Sequence, residues 1–210
     1  MFQLIAIRPL QGCYEYIRKC LKEDVFYYFC DQYEISKAGI ISKNRESKAI
    51  PENLFSINGG HAHINLTAIV GKNGDGKSSI VELMLRLINN YTAQVKGLTH
   101  DDVNPTVVIK GLAAELYYQK DSSIYRMCDD RGDGSVKLEK VATAYGGGEV
   151  KMLSFKEGVT ESDEMAANFF YTMVTNFSHY AYNIYDFRRE WVPVSAKTDN
   201  DEARSWLYYI

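Results

Sequence analysis

Residues 71–79 read Gly-Lys-Asn-Gly-Asp-Gly-Lys-Ser-Ser, and their spacing constrains the fold more than any other part of the chain. Glycines at 71, 74 and 76 permit positive φ angles, which turn successive backbone N–H groups inward around an anion. Lys77 adds a charge that reaches phosphate oxygens, and the hydroxyl of Ser78 is placed to bind Mg²⁺. The pattern G-x-x-x-x-G-K-[ST] therefore predicts a phosphate-binding loop between a strand and a helix.

The segments on both sides of this loop have the composition that it requires. Residues 64–70 are an apolar, β-branched run of strand length. Residues 78–90 are rich in Ile, Leu, Met and Val, which predicts a helix that is apolar around most of its circumference. Glu82 and Arg86 form an i,i+4 pair on its one clearly polar face. In this context a nucleotide-binding loop is favoured over a glycine-rich surface turn.

The candidate site is the loop itself together with the start of its helix. Lys77 is the predicted catalytic residue, Ser78 is the predicted metal ligand, and the expected cofactors are ATP and Mg²⁺. The residues predicted to bind the nucleotide are Gly71, Lys72, Asn73, Gly74, Asp75, Gly76, Lys77, Ser78 and Ser79.

Composition limits the class of protein. The chain has 210 residues, enough for one domain with a sizeable core, and we treat residues 1–210 as a single nucleotide-binding domain. A net charge of −3 gives no global basic field for nucleic acid. No apolar run approaches the roughly 18 residues that span a bilayer. The N-terminus lacks signal-peptide features, and the four cysteines show no C-x-x-C spacing, so we expect reduced, buried thiols in a cytoplasmic protein.

Apolar periodicity predicts further elements before and after the loop. Upstream, residues 2–7 predict an edge strand, residues 14–21 a short amphipathic helix and residues 25–30 a strand. Downstream, a β-rich subdomain is expected within residues 98–150. Its predicted strands cover residues 106–110, 112–119, 123–128 and 136–141, with a tight turn at 121–122.

This order of elements resembles the ATPase head of the ABC superfamily. The likeness is closest to its SMC-like branch, which serves chromosome maintenance and recombination, and to prokaryotic AAA-type relatives with ABC-like heads. It is carried by residues 64–90, with Asn73 before Gly74 and the doubled Ser78-Ser79 as the distinguishing residues. The resemblance implies an α/β P-loop NTPase fold: an N-terminal lobe with a central sheet, a P-loop helix and an antiparallel β-subdomain. It also implies ATP and Mg²⁺ as ligands and a head-to-head homodimer; DNA is a conceivable partner that the sequence does not demonstrate.

The chain departs from this family in two respects. Asp75 stands where the family has a small residue, and we expect its side chain to point to solvent with a modest effect on affinity. The second lobe's motifs are also absent: no four-residue apolar run ends in Asp-Glu after the loop, and no Ser-Gly-Gly signature occurs. The resemblance therefore implies an N-terminal lobe without the C-terminal lobe that completes hydrolysis.

Two further features of such heads have only candidate equivalents. Asn176 and Ser178 are candidates for the polar loop that senses nucleotide state, although loop residues of this type are common. Phe29, Tyr33 and Phe55 are candidates for stacking on adenine; the sequence does not choose among them, and such residues are more often part of the core.

Three functions remain open on the sequence. The first is the ATP-binding lobe of an ABC-like ATPase, which hydrolyses ATP only with a second lobe and a dimer partner. The second is a small P-loop kinase, in which Arg188 and Arg189 would be lid arginines. The third is a non-catalytic module in which nucleotide binding drives assembly alone.

Overall fold

The structure is a computed structural model that describes residues 2–47, 67–96, 108–144 and 150–152, with the backbone alone for residues 92–96. The elements in these ranges are β1 (Phe2–Pro9), α1 (Glu15–Arg18), β2 (Tyr27–Tyr28), β3 (Tyr33–Ile35), β4 (Ile41–Lys43), α2 (Lys77–Lys96), β5 (Ala114–Lys120), β6 (Ser123–Asp129), β7 (Lys137–Ala144) and β8 (Val150–Met152).

Six of the strands form one antiparallel sheet in the order β2-β1-β5-β6-β7-β8. Residues 2–7 form a strand as predicted, but its predicted position at the edge of the sheet is wrong, because β1 lies between β2 and β5. β2 is short and pairs with β1 only at Ala6 and Ile7. The strands β3 and β4 form a separate two-stranded sheet. Strand order follows from long-range pairing, which local alternation of apolar residues does not encode.

Both faces of the central strand β5 are covered. Leu116 and Tyr118 belong to the core that contains the apolar residues of α2, whereas Tyr117 belongs to a second core with residues of β3 and β4. Successive side chains of a strand point to opposite faces, so α2 and the β3–β4 pair lie on opposite sides of the sheet. The run Ala114 to Tyr118 is accordingly buried without a break.

Helix α2 is held by apolar packing against the sheet and by one buried amide that binds the segment before β5. Leu83, Leu87 and Tyr91 are buried in the core that α2 shares with the sheet and with Ile17 of α1. The side chain of Asn90 donates to the carbonyl of Ile109 (2.7 Å) and accepts from its N–H (2.8 Å). Among the described residues, no helix is long and apolar enough to cross a membrane.

The prediction of a helix over residues 78–90 is confirmed, since α2 contains it. The predicted strand at 64–70 lies partly outside the described residues, and residues 67–70 have no regular structure. Residues 108–110 likewise lie outside any strand. The predicted β-rich region 98–150 contains β5, β6, β7 and the first residue of β8, and these strands belong to the same sheet as β1. The α/β P-loop fold class stays a prediction.

A buried charged group lies on the face of the sheet opposite α2. Glu115 is 1% exposed and pairs with Arg8 across β1 and β5, with 2.7 Å between Nε and Oε1. Arg8 also lies over the ring of Phe26 and donates to the carbonyl of Lys37 (3.1 Å). Burial raises the pKa of Glu115, although the positive charges of Arg8 and Arg126 oppose that shift.

Glu115 should make stability depend on pH. Its folded-state pKa lies above the ordinary value of 4.5, so between these two values the folded state binds more protons than the unfolded state. The free energy of unfolding should therefore fall as pH rises through that window, by at most about 1.4 kcal/mol per pH unit for one group. Urea titrations across the window should show a steeper fall for the wild type than for Glu115→Gln. Equal slopes would contradict this account.

Candidate functional site

The N-terminus of α2 presents unpaired backbone donors to solvent. The helix begins at Lys77, and its first intrahelical bond runs from the N–H of Ile80 to the carbonyl of Gly76 (3.0 Å). The N–H groups of residues 77–79 therefore have no helical partner, and the dipole of a 20-residue helix adds positive potential at this end. The first turn of α2 contains no acidic residue that would oppose an anion. This end of the helix is suited to bind a phosphate group.

Lys77 closes the 71–79 loop on itself. Its Nζ donates to the carbonyl of Gly71 (2.7 Å) and to the carbonyl of Lys72 (2.6 Å). An ammonium group has three donors, so one remains after these two bonds. The ammonium group of Lys77 consequently lies between the first residues of the loop and the start of α2. Its third N–H is left to bind an anion.

Asp75 is exposed, as expected from the sequence, but its carboxylate turns back onto the loop instead of into solvent. Its Oδ2 accepts a hydrogen bond from the N–H of Lys72 (2.6 Å). A Cβ on Gly71 would lie 3.0 Å from that same oxygen. Gly71 therefore leaves room for the Asp75 side chain. The predicted positive φ is confirmed for Gly74 and Gly76, both at +91°, but not for Gly71.

The two serines of the motif have different surroundings. Ser78 is exposed, so its hydroxyl is open to a ligand, as the predicted metal role requires. Ser79 is buried, and its Oγ lies 3.9 Å from the Sγ of Cys20. Ser79 can thus offer its backbone N–H to an anion, while its side chain contacts the N-terminal segment. Lys72, Asn73 and Gly74 are exposed along the rim of the loop.

The loop lies directly on a turn formed by residues 18–21. Gly76 is buried there, and a Cβ at this position would lie 2.9 Å from Leu21 Cδ2 and 3.1 Å from Cys20 Sγ. This contact between segments more than 50 residues apart had no signal in the sequence. The requirement for glycine at position 76 is therefore twofold: its positive φ and its lack of a side chain.

The predicted i,i+4 pair of Glu82 and Arg86 is confirmed, and both residues are buried, at 5% and 1% exposure. Arg86 donates from two of its nitrogens to Glu82 Oε1, and Lys19 binds Glu82 Oε2 at 2.6 Å. The pair tolerates burial because Glu82 is neutralised by two cations. Lys19 is 63 residues away in sequence, so helical spacing alone could not reveal it.

The other sequence candidates do not join this site. Phe29 and Tyr33 are buried in the two cores, so neither presents a free ring for adenine. All four cysteines are free; burial raises the pKa of the Cys13 thiol to about 12, and that of Cys128 likewise, whereas Cys20 is exposed. In the described part of the chain, no three His, Cys, Asp or Glu residues cluster as a metal site. The remaining candidates lie outside the described residues: Phe55, Asn176, Ser178, Arg188 and Arg189.

Comparison of the chain with protein-family models, with curated proteins and with solved structures finds no match in any of the three.

Gly76→Ala should be far more disruptive than Gly12→Ala, although both glycines have a φ of +91°. A Cβ at Gly12 meets nothing within 4 Å, whereas one at Gly76 meets Leu21 and Cys20. Both substitutions should lose about 1–2 kcal/mol of unfolding free energy through backbone strain, and Gly76→Ala a further 1–3 kcal/mol through overpacking. Denaturant titration measures both variants. Equal losses would show that the loop does not pack on residues 18–21.

Proposed function

We propose that this chain binds Mg-ATP through residues 71–79 and serves as the ATP-binding lobe of an ABC/SMC-like ATPase. The observation that carries the proposal is the position of Lys77, whose Nζ bridges the carbonyls of Gly71 and Lys72 at the open end of α2. An ordinary glycine-rich surface turn requires neither a lysine that bonds across it, as Lys77 does, nor a buried glycine at its end, as Gly76 is.

Each group of the loop has a proposed task in binding. The N–H groups of residues 77–79 and the helix dipole hold the β-phosphate, and the remaining donor of Lys77 reaches the β- and γ-phosphates. The exposed hydroxyl of Ser78 would hold Mg²⁺, and the metal would supply positive charge against the phosphates of ATP. Asp75 stays on the N–H of Lys72, so its charge is partly satisfied within the loop.

Hydrolysis requires more than this site. In hydrolysis a water that a carboxylate orients attacks the γ-phosphorus, the bond to the β–γ bridging oxygen breaks, and ADP and phosphate are released. We assign that carboxylate to a C-terminal lobe and the final closure to a second head in a head-to-head homodimer. The chain alone should bind Mg-ATP without turnover. A cytoplasmic location is part of the proposal and agrees with four free cysteines.

Lys77→Ala and Ser78→Ala test the site, with isothermal titration calorimetry as the measurement. Removal of a charged hydrogen bond costs about 1.5–3 kcal/mol, so Lys77→Ala should weaken Mg-ATP binding about 10- to 150-fold. Ser78→Ala should reduce the gain in affinity that Mg²⁺ gives and leave metal-free ATP binding nearly unchanged.

Lys22→Ala is a suitable control, because Lys22 is an exposed lysine outside the loop. It should bind Mg-ATP like the wild type. The proposal fails if Lys77→Ala keeps wild-type affinity, or if the wild type shows no heat of binding with Mg-ATP. Phosphoryl transfer from ATP to a nucleoside by the chain alone would favour the kinase alternative.

A further inference from the structure

The turn beneath the loop contains a lysine in a conformation that suits glycine. Lys19 has φ 54° and ψ −117°, and the N–H of Leu21 donates to the carbonyl of Arg18 (2.9 Å) across it. These are the values of the first central residue of a type II′ turn, a position dominated by glycine. A side chain there is strained, and strain of this kind persists where the surrounding structure holds it for a reason.

The side chain of Lys19 gives that reason. Its Nζ binds Glu82 Oε2 at 2.6 Å, while Arg86 binds the other carboxylate oxygen. Glu82 is four residues after Ser78, on the same side of α2 and about 6 Å further along its axis. Without Lys19, the buried carboxylate of Glu82 would have only Arg86 as a counter-ion. That carboxylate lies about one helical turn from the N-terminus that is proposed to bind phosphate.

The same turn supports the loop sterically. Leu21 and Cys20 contact Gly76, and Cys20 also approaches Ser79. The ion pair of Lys19 with Glu82 and the packing under Gly76 thus join the turn to the first two turns of α2. Lys19 acts on the loop through Glu82 and touches none of residues 71–79 in the described contacts.

We propose that Lys19 is a positioning residue for the phosphate site: it neutralises Glu82 and holds the start of α2 on the 18–21 turn, at a cost in backbone strain. The inference rests on the proposed function, because the ligand in question is Mg-ATP. When Lys19 is replaced, we expect Mg-ATP binding to weaken because the charge of Glu82 is no longer neutralised, and not because the chain unfolds.

The decisive comparison uses the full chain and the dissociation constant for Mg-ATP. Lys19→Met keeps the aliphatic stem and should bind about tenfold more weakly, and the Lys19→Met/Glu82→Gln double variant should recover most of that loss. Recovery follows because the group formed by Lys19, Glu82 and Arg86 carries one net positive charge in the wild type, none in Lys19→Met and one again in the double variant. Lys22→Met, an exposed lysine three residues away, should bind like the wild type.

Lys19→Gly separates the strain from the charge. Glycine accepts the φ of +54°, so this variant should unfold at a higher temperature than Lys19→Met while binding Mg-ATP equally weakly. A purely structural role predicts instead that affinity follows stability, so that Lys19→Gly binds better than Lys19→Met and the double variant binds worst.

The outcomes distinguish the two proposals. If the wild type binds Mg-ATP and Lys77→Ala does not, but Lys19→Met binds like the wild type, the role of Lys19 alone is overturned. An unrecovered double variant overturns the electrostatic route through Glu82. If the wild type binds no Mg-ATP, the proposed function fails and the role of Lys19 falls with it.

Discussion

The buried contact of Gly76 with residues 20–21 is the constraint on which the site depends. Gly76 combines a φ of +91° with neighbours at 2.9 and 3.1 Å from the place where a Cβ would be. It ends the loop, accepts the first hydrogen bond of α2, and lies on the turn that follows α1. The end of the loop and the start of α2 thereby meet the distant 18–21 turn at one residue without a side chain, which fixes the direction in which the N-terminus of α2 points.

The buried carboxylates of Glu82 and Glu115 are paired with lysine and arginine side chains from outside the 71–79 loop. Glu82 has two cations under the site, and Glu115 has Arg8 and Arg126 on the far face of the sheet. The loop itself retains the ammonium of Lys77 and the unpaired N–H groups of α2. Asp75, the one acidic residue within 71–79, is engaged with a backbone N–H. The arrangement leaves positive potential at the mouth of the loop.

Local signals predicted the helix after the loop and the hairpin turn, but the strands predicted over residues 67–70 and 108–110 did not form. The spacing of residues 71–79 and the apolar run after them predicted a loop that enters a helix, and α2 begins at Lys77 as expected. The turn at 121–122 was equally clear: Lys120 pairs with Ser123, and Asp121 takes a φ of +56°. In each case the residues that determine the structure lie within a few positions of one another, so a local sequence pattern is enough to predict it.

Features that depend on distant partners were not predictable in this way. Glu82 and Arg86 have the spacing of an exposed helical pair, and only Lys19, 63 residues earlier, explains their burial. β1 alternates like an edge strand, yet it lies inside the sheet because Tyr27 and Tyr28 pair with its other side. Lys19 itself occupies a glycine position, so propensity gave no reason to place a turn there.

The most direct test of the central claim is a backbone amide NMR titration of the full chain with Mg-ATP. The account predicts chemical-shift changes concentrated in residues 71–82, with a second, smaller set in residues 18–21 beneath the loop, and none in the β3–β4 pair on the opposite face of the sheet. Shifts that avoid residues 71–82, or an unchanged spectrum at saturating Mg-ATP, would contradict it.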